Sequence, residues 1–150
     1  MMHDVGKLAI PDRVLKKPGR LDDEELAIMR THAAKGAEIL GDNPFFEKAR
    51  DIAHCHHERF DGTGYPRGIK GEEIPLPARI VAVADIYDAL SSARVYKAAW
   101  TQDEVLVELV NISGTHLDPT VVNAFLEMVH DGTVDGIRKK YSDPAPEGQI

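Results

Sequence analysis

Cysteine is almost absent from this chain: Cys55 stands alone among 150 residues. No intrachain disulfide can form, and a reducing compartment suits such a composition. Long apolar runs are missing as well. No stretch approaches the roughly eighteen consecutive apolar residues of a membrane span. Met1-Met2-His3-Asp4-Val5-Gly6-Lys7 lacks the basic and then apolar regions of a signal peptide. Positive charge is in deficit, with 18 Lys and Arg against 25 Asp and Glu, for a formal charge of −7. That balance excludes a protein that coats DNA or an anionic membrane through a broad basic surface, but leaves room for a local basic pocket. Internal repeats and low-complexity blocks are also lacking. What is present, 43% hydrophobic residues over 150 positions, suffices for one domain with its own core. The expectation is a soluble cytoplasmic domain with neither DNA nor membrane as a partner.

Local signals point to helices. Residues 8–21 hold Pro11, Pro18 and Gly19 and read as a loop or short turns. Asp22 can cap a helix, with Glu25 placed to reach back. Leu26, Met29, Ala33, Ala37 and Leu40 follow at helical spacing up to Gly41. Residues 45–57 read as a second helix, with Phe46, Ala49, Ile52 and Ala53 as its buried stripe. Residues 61–77 are too rich in glycine and proline for a helix and read as a sizeable ordered loop. The apolar run from about Pro77 to Leu90 predicts a buried helix. Further helices should follow Thr101, with Glu104 three residues on, and Asp118, with Pro119 at the first position. The tail from Asp131 is expected to dock weakly or fray. The fold class is all-α, with five or so helices.

Seven histidines are present, and four sit in settings suited to chemistry. His3-Asp4 and His56-His57 are adjacent pairs, His32 lies within a helix, and Asp85 lies in the most apolar helix. Imidazole and carboxylate are the usual ligands of Zn, Mn and Fe. Neighbouring side chains on a helix diverge by roughly 100°. Such pairs suit two ions better than one, and a carboxylate such as Asp4 can bridge two cations. Taken singly, each residue has a plainer explanation. His32 could be a hydrogen-bonded surface histidine, and Asp85 could pair with Arg79 or Arg94. Lys7, four residues after His3, could face the same site. His116 reads as structural, bonded within the turn before the last helix. Cys55 reads as a small buried residue beside the site.

These residues lie in an ordered series. His3-Asp4-Val5-Gly6-Lys7 is followed by Ile10-Pro11-Asp12, Lys17-Pro18-Gly19, Met29-Arg30-Thr31-His32 and Gly36-Ala37-Glu38-Ile39-Leu40. Then come His56-His57-Glu58-Arg59-Phe60-Asp61-Gly62-Thr63-Gly64-Tyr65-Pro66, Ala84-Asp85-Ile86-Tyr87-Asp88-Ala89-Leu90, Arg94-Val95-Tyr96-Lys97 and Gly114-Thr115-His116-Leu117-Asp118-Pro119. In order and spacing the series resembles the HD-GYP family of metal-dependent phosphohydrolases.

The resemblance implies an HD-type helical bundle with a long ordered Gly-Tyr-Pro loop. It implies hydrolysis of cyclic di-GMP to pGpG or onward to GMP, with two divalent metal ions, three in trinuclear members, iron or manganese being usual. The implied ligands are His3, Asp4, His32, His56, His57 and Asp85. Asp4 and Lys7 would be catalytic, Lys7 stabilising charge on phosphate oxygens. Gly64, Tyr65, Pro66, Asp88, Arg94 and Lys97, with Lys7, would bind substrate. Gly64 could let backbone approach a ligand, and Tyr65 could offer a face to guanine. Implied partners are cyclic di-GMP and diguanylate-cyclase (GGDEF) domains, the latter through the Gly-Tyr-Pro loop. The family domain has helices before the His-Asp pair. Residues 1–130 are therefore expected to form a catalytic domain without those first helices, and 131–150 a C-terminal tail. A face left bare in this way would invite a homodimer. Two alternatives stay open: a cyclic di-GMP-binding or protein-interaction module with impaired catalysis, and an HD phosphohydrolase for another nucleotide.

Overall fold

The structure is a computed structural model, and it describes residues 2–92 and 100–141. Among them are eight α-helices and no strand: α1 (Asp12–Leu15), α2 (Asp23–Arg30), α3 (His32–Leu40), α4 (Glu47–Cys55), α5 (Leu76–Ser91), α6 (Gln102–Asn111), α7 (Pro119–His130) and α8 (Thr133–Tyr141). Short 3₁₀ segments cover Met2–Ala9, Pro44–Phe46 and Gly71–Glu73. None of the described helices is long and apolar enough to cross a membrane.

The expected start signals are in use. Asp22 and Glu25 exchange bonds with each other's backbone N–H at 2.9 and 3.0 Å. Thr101 and Glu104 do the same at the start of α6. Asp118 accepts from Thr120 N–H at 2.8 Å, with Pro119 at the first position of α7. Each satisfies amides that the first turn of a helix leaves free.

Three expectations need correction. The helix expected over 22–40 is two helices, α2 and α3, broken at Thr31. There Thr31 Oγ1 donates to the Ile28 carbonyl at 2.7 Å and the His32 ring takes the Met29 carbonyl at 2.7 Å. Side chains thus compete with the helical ladder at this point, and Leu26, expected inside, is exposed on α2. The apolar run does form a helix, α5, but it buries Ala78, Val83 and Tyr87 fully while Ile80 faces outward. The segment after Asp131 does not fray at once. Asp131 caps Thr133 N–H at 2.8 Å, α8 follows, and Val134 joins the core.

The core divides along α5. One side holds Val83, Tyr87, Val105, Leu109, Leu117, Val122 and Val129, where α5, α6 and α7 meet, with the Tyr87 and Phe125 rings 4.9 Å apart edge to face. On the other side α5 meets α4 through the buried Cys55, Ile74 and Ala78. Burial pushes the Cys55 thiol up to about 11, so it is an inert packing group, as expected. The Met2–Ala9 segment lies across α3 and α4. Its approach to α3 depends on glycine. A Cβ on Gly6 would lie 1.9 Å from the His32 carbonyl oxygen and 2.5 Å from Gly36 N. Two residues without side chains let the backbones touch.

Candidate metal and phosphate site

The Gly6–Gly36 contact sets the site. It seats His3 and Asp4 beside His32, at the start of α3, and α4 delivers His56 at its C-terminal cap with His57 just beyond. Because His57 lies outside the helix, the pair does not splay as helical neighbours would. The two imidazole centroids are 4.0 Å apart. His32 and His57 are separated by 5.0 Å, and His3 and His56 by 5.1 Å. His32, His56 and His57 each offer a ring nitrogen, all within 4.8 Å of one another.

Asp4 sits at the centre. Its Oδ1 is 3.6 Å from His32 Nε2 and 3.9 Å from His56 Nε2, while its Oδ2 is 3.6 Å from His3 Nε2. The two oxygens of one carboxylate thus face different histidines. Asp85, on α5, closes the group with Oδ1 3.8 Å from His3 Nε2. Its sequence-level competitor Arg79 is engaged elsewhere, with Asp118. Lys7 donates to Asp4 Oδ2 at 2.7 Å rather than lying over His3. The segment is 3₁₀, with three residues per turn, so the i and i+3 side chains stack.

The donors and acceptors of these residues are arranged for a cation. His32 Nδ1 donates to the Met29 carbonyl at 2.7 Å, and His56 Nδ1 to those of Ala53 and Ile52 at 3.0 and 3.2 Å. Carbonyls only accept, so both protons reside on Nδ1 and both Nε2 atoms carry lone pairs. Yet the two Nε2 atoms face each other at 3.3 Å. Two acceptors in contact need a positive centre between them, and backbone-anchored Nδ1–H with Nε2 turned inward is how metal-ligating histidines are held. Burial and then the neighbouring imidazoles hold His56 low and push His57 down to about 3, so both rings are neutral near pH 7. Burial opposes ionisation of Asp4, but the Lys7 hydrogen bond and charge outweigh it and keep the carboxyl below its usual range. The set fits divalent cations held by imidazole and carboxylate.

The loop after His57 forms the wall. Thr63 N–H and Oγ1 both donate to Asp61 Oδ1, at 2.9 and 2.6 Å. Gly64 lies so close to the preceding chain that a Cβ would stand 2.3 Å from Arg59 N. Hence its closeness serves the fold of the loop against residues 57–59. Tyr65 N–H donates to the His57 carbonyl at 3.2 Å, and the Tyr65 ring stacks on the His57 ring at 4.7 Å. Its hydroxyl is pushed up to about 12 by burial and remains protonated. Pro66 is exposed beside it. Glu58 and Arg30 were not singled out by sequence reasoning. Glu58 is buried and accepts Arg67 N–H at 2.7 Å, pinning the far end of the turn. Arg30 lies over the Tyr65 ring at 5.3 Å. No periodicity marks either; only their places beside His57 and His32 in sequence could have. His116 is expected to bond within its own turn; its ring instead accepts from Arg59, 57 positions away in sequence, at 3.0 Å.

A cavity of about 260 Å³ opens onto His56, His57 and Asp85, with Arg30, Arg59 and Tyr65 on its walls. Asp88 is apart from it, exposed one turn after Asp85 and lining a neighbouring groove with His3 and Arg138. Arg94 and Lys97 lie outside the described residues.

Comparison with known proteins identifies the family. Residues 1–121 match the HD domain family. A cyclic di-GMP phosphodiesterase of Vibrio cholerae serotype O1 is 52% identical over 132 residues, covering 83% of this chain and 27% of the relative. The cyclic di-GMP phosphodiesterase response regulator RpfG of Xanthomonas campestris pv. campestris is 53% identical over 127 residues, covering 83% of this chain and 34% of its own length. The chain thus spans about a third or less of these curated relatives. In fold it is similar to the crystal structure of a cyclic GMP-AMP specific phosphodiesterase of V. cholerae, with a TM-score of 0.60 at 22% identity over 88% of this chain and 37% of that one. The chain therefore belongs to the HD domain family, and its run from His56-His57 to Gly64-Tyr65-Pro66 fits the HD-GYP members of that family.

Proposed function

We propose that this chain is the catalytic unit of a metal-dependent phosphodiesterase that hydrolyses cyclic di-GMP to pGpG or GMP. One observation carries the reading: the Asp4 carboxylate sits among His3, His32 and His56, with its two oxygens turned to different imidazoles. The names of the relatives that share this stretch of sequence support the substrate. His3, Asp4, His32, His56, His57 and Asp85 would hold the metal ions, iron or manganese. When bound, such ions activate water and neutralise charge on a phosphate.

The chain's own residues supply the rest. The carbonyl-anchored Nδ1–H groups of His32 and His56 keep their Nε2 atoms aimed inward. Lys7 orients Asp4 and places an ammonium where a phosphate oxygen gains charge during attack. Thr63, Gly64 and Tyr65 of the loop wall the cavity and limit solvent entry. Further substrate contacts in this reading are Asp88, from the neighbouring groove, and Arg94 and Lys97, which lie outside the described residues. Pro66 and Arg67 are exposed at the loop tip, which supports contact with diguanylate-cyclase domains. The exposed Leu8 and Phe45 support self-association.

The test is turnover of cyclic di-GMP by protein loaded with Mn(II), or with Fe(II) under anaerobic conditions, products being resolved by chromatography. Linear products should form only with metal, and H56A should abolish both metal retention and turnover. Absence of product under both metals would overturn the proposal.

A further inference from the structure

Two arginines bound the 260 Å³ cavity, and they are differently committed. Arg59 donates to His116 Nδ1 at 3.0 Å and its Nε lies 4.0 Å from Asp61. Arg50, likewise, lies 3.0 Å from Asp42, and Arg79 is paired with Asp118. Arg30, among the described residues, has no carboxylate within that range. It is exposed at the last position of α2, two residues before His32. Its guanidinium is 5.3 Å from the centre of the Tyr65 ring, which itself stacks on His57 at 4.7 Å. A guanidinium resting on an aromatic face keeps its in-plane N–H donors free, and these match the paired oxygens of a phosphate. In a chain of net charge −7, an arginine with no acidic partner at a cavity mouth is a local positive site. Here it stands one aromatic ring away from the histidine cluster.

A cyclic dinucleotide carries two phosphodiesters. When one lies over the histidine and carboxylate group, the other can meet a cation on the wall of the same cavity. We propose that Arg30 binds the phosphate that is not cleaved, with Tyr65 as the positioning residue that holds the guanidinium at the cavity mouth. This rests on the phosphodiesterase reading above.

The test is steady-state kinetics of the metal-loaded chain on cyclic di-GMP and on bis(p-nitrophenyl) phosphate, which has a single phosphodiester. R30A should raise KM for cyclic di-GMP by about 10- to 100-fold, the size of one lost charge-assisted hydrogen bond, with a much smaller change in kcat. R30K, which lacks the planar fork, should recover only part of the loss. The effect on kcat/KM for bis(p-nitrophenyl) phosphate should be at least about tenfold smaller. Y65L should raise KM for cyclic di-GMP in the wild-type background and add little to R30A, because it acts through Arg30. An unchanged KM in R30A, or an equal loss on both substrates, overturns the assignment. Wild-type protein that cleaves only bis(p-nitrophenyl) phosphate refutes the substrate reading instead. If the wild type cleaves neither compound, calorimetric titration of cyclic di-GMP into metal-loaded protein decides. Binding at least tenfold weaker in R30A supports the role, and equal binding, or none by the wild type, overturns it. Metal content and Tm measured on R30A separate this role from a structural one.

Discussion

Substituting Gly6 by alanine adds one methyl group at the closest backbone contact of the site. The new Cβ would sit 1.9 Å from the His32 carbonyl oxygen, 2.5 Å from Gly36 N and 2.8 Å from the His32 carbonyl carbon. All three neighbours are main-chain atoms, so no side chain can rotate away. The Met2–Ala9 segment and α3 must therefore move apart by on the order of 1 Å before contact becomes ordinary. Overpacking of this kind costs about 1–3 kcal/mol, which for a chain of this length lowers Tm by about 2–12 °C. The effect on the site should exceed the effect on stability. Asp4 and His3 ride on one side of the contact and His32 on the other, now 3.6 Å from Asp4. Metal–ligand distances tolerate only about 0.2 Å, and a 1 Å displacement of reacting groups can cost about 100-fold in rate. G6A should accordingly be folded by circular dichroism yet hold well under half the wild-type metal per chain, measured by elemental analysis. G136A is the control. Gly136 lies in α8 with nothing within 4 Å of an added Cβ, so alanine there should raise stability by about 0.5–1 kcal/mol and leave metal content alone. A G6A protein with full metal content and unchanged Tm would refute the argument that this contact sets the site.

Other expectations concern the scaffold. The buried Asp118 pairs with the part-buried Arg79, joining the start of α7 to α5, so R79M, which strands the carboxylate, should cost about 3–5 kcal/mol in urea denaturation. A loss below about 1 kcal/mol would contradict that burial. His116 is held below its ordinary 6.5 by burial and then by Arg59. A lowered histidine is neutral in the fold and charges more readily when unfolded. Its contribution is therefore whole above pH 6.5 and is lost as pH falls from there toward the lowered value. The Tm deficit of H116Q should be larger at pH 7.5 than at pH 5.5, and a deficit that grows on acidification would reverse the assignment. The Cys55 thiol, buried and raised to about 11, should resist alkylation at pH 8 in the native protein and react on unfolding. Rapid native alkylation would show that the α4–α5 contact opens.

Much of this protein is written locally. The helix starts at Asp22, Thr101 and Asp118 depend on residues two or three positions apart, and so are visible in a single pass along the chain. The loop from Asp61 is visible for the same reason, since glycine and proline there deny a helix. The ordered series of histidines and carboxylates points to the chemistry before any coordinates are considered. Local pattern misleads where a side chain overrides it. The stripe from Leu26 to Leu40 is continuous, but His32 and Thr31 take carbonyls from the ladder and split it. That break starts α3 at His32, whose Nε2 lies 3.6 Å from Asp4.

Distance in space was decided only by the tertiary structure. Residue types say that His3, Asp4, His32, His56, His57 and Asp85 can ligate; packing of Gly6 on Gly36 and of α4 on α5 brings them together. The same holds for Arg30, whose value lies in standing over a tyrosine 35 positions away in sequence while Arg59 is spent on His116. The physical reason is range. Caps and turns act over a few bonds of chain, whereas a metal-binding group and a phosphate cavity arise from contacts whose partners no local periodicity names.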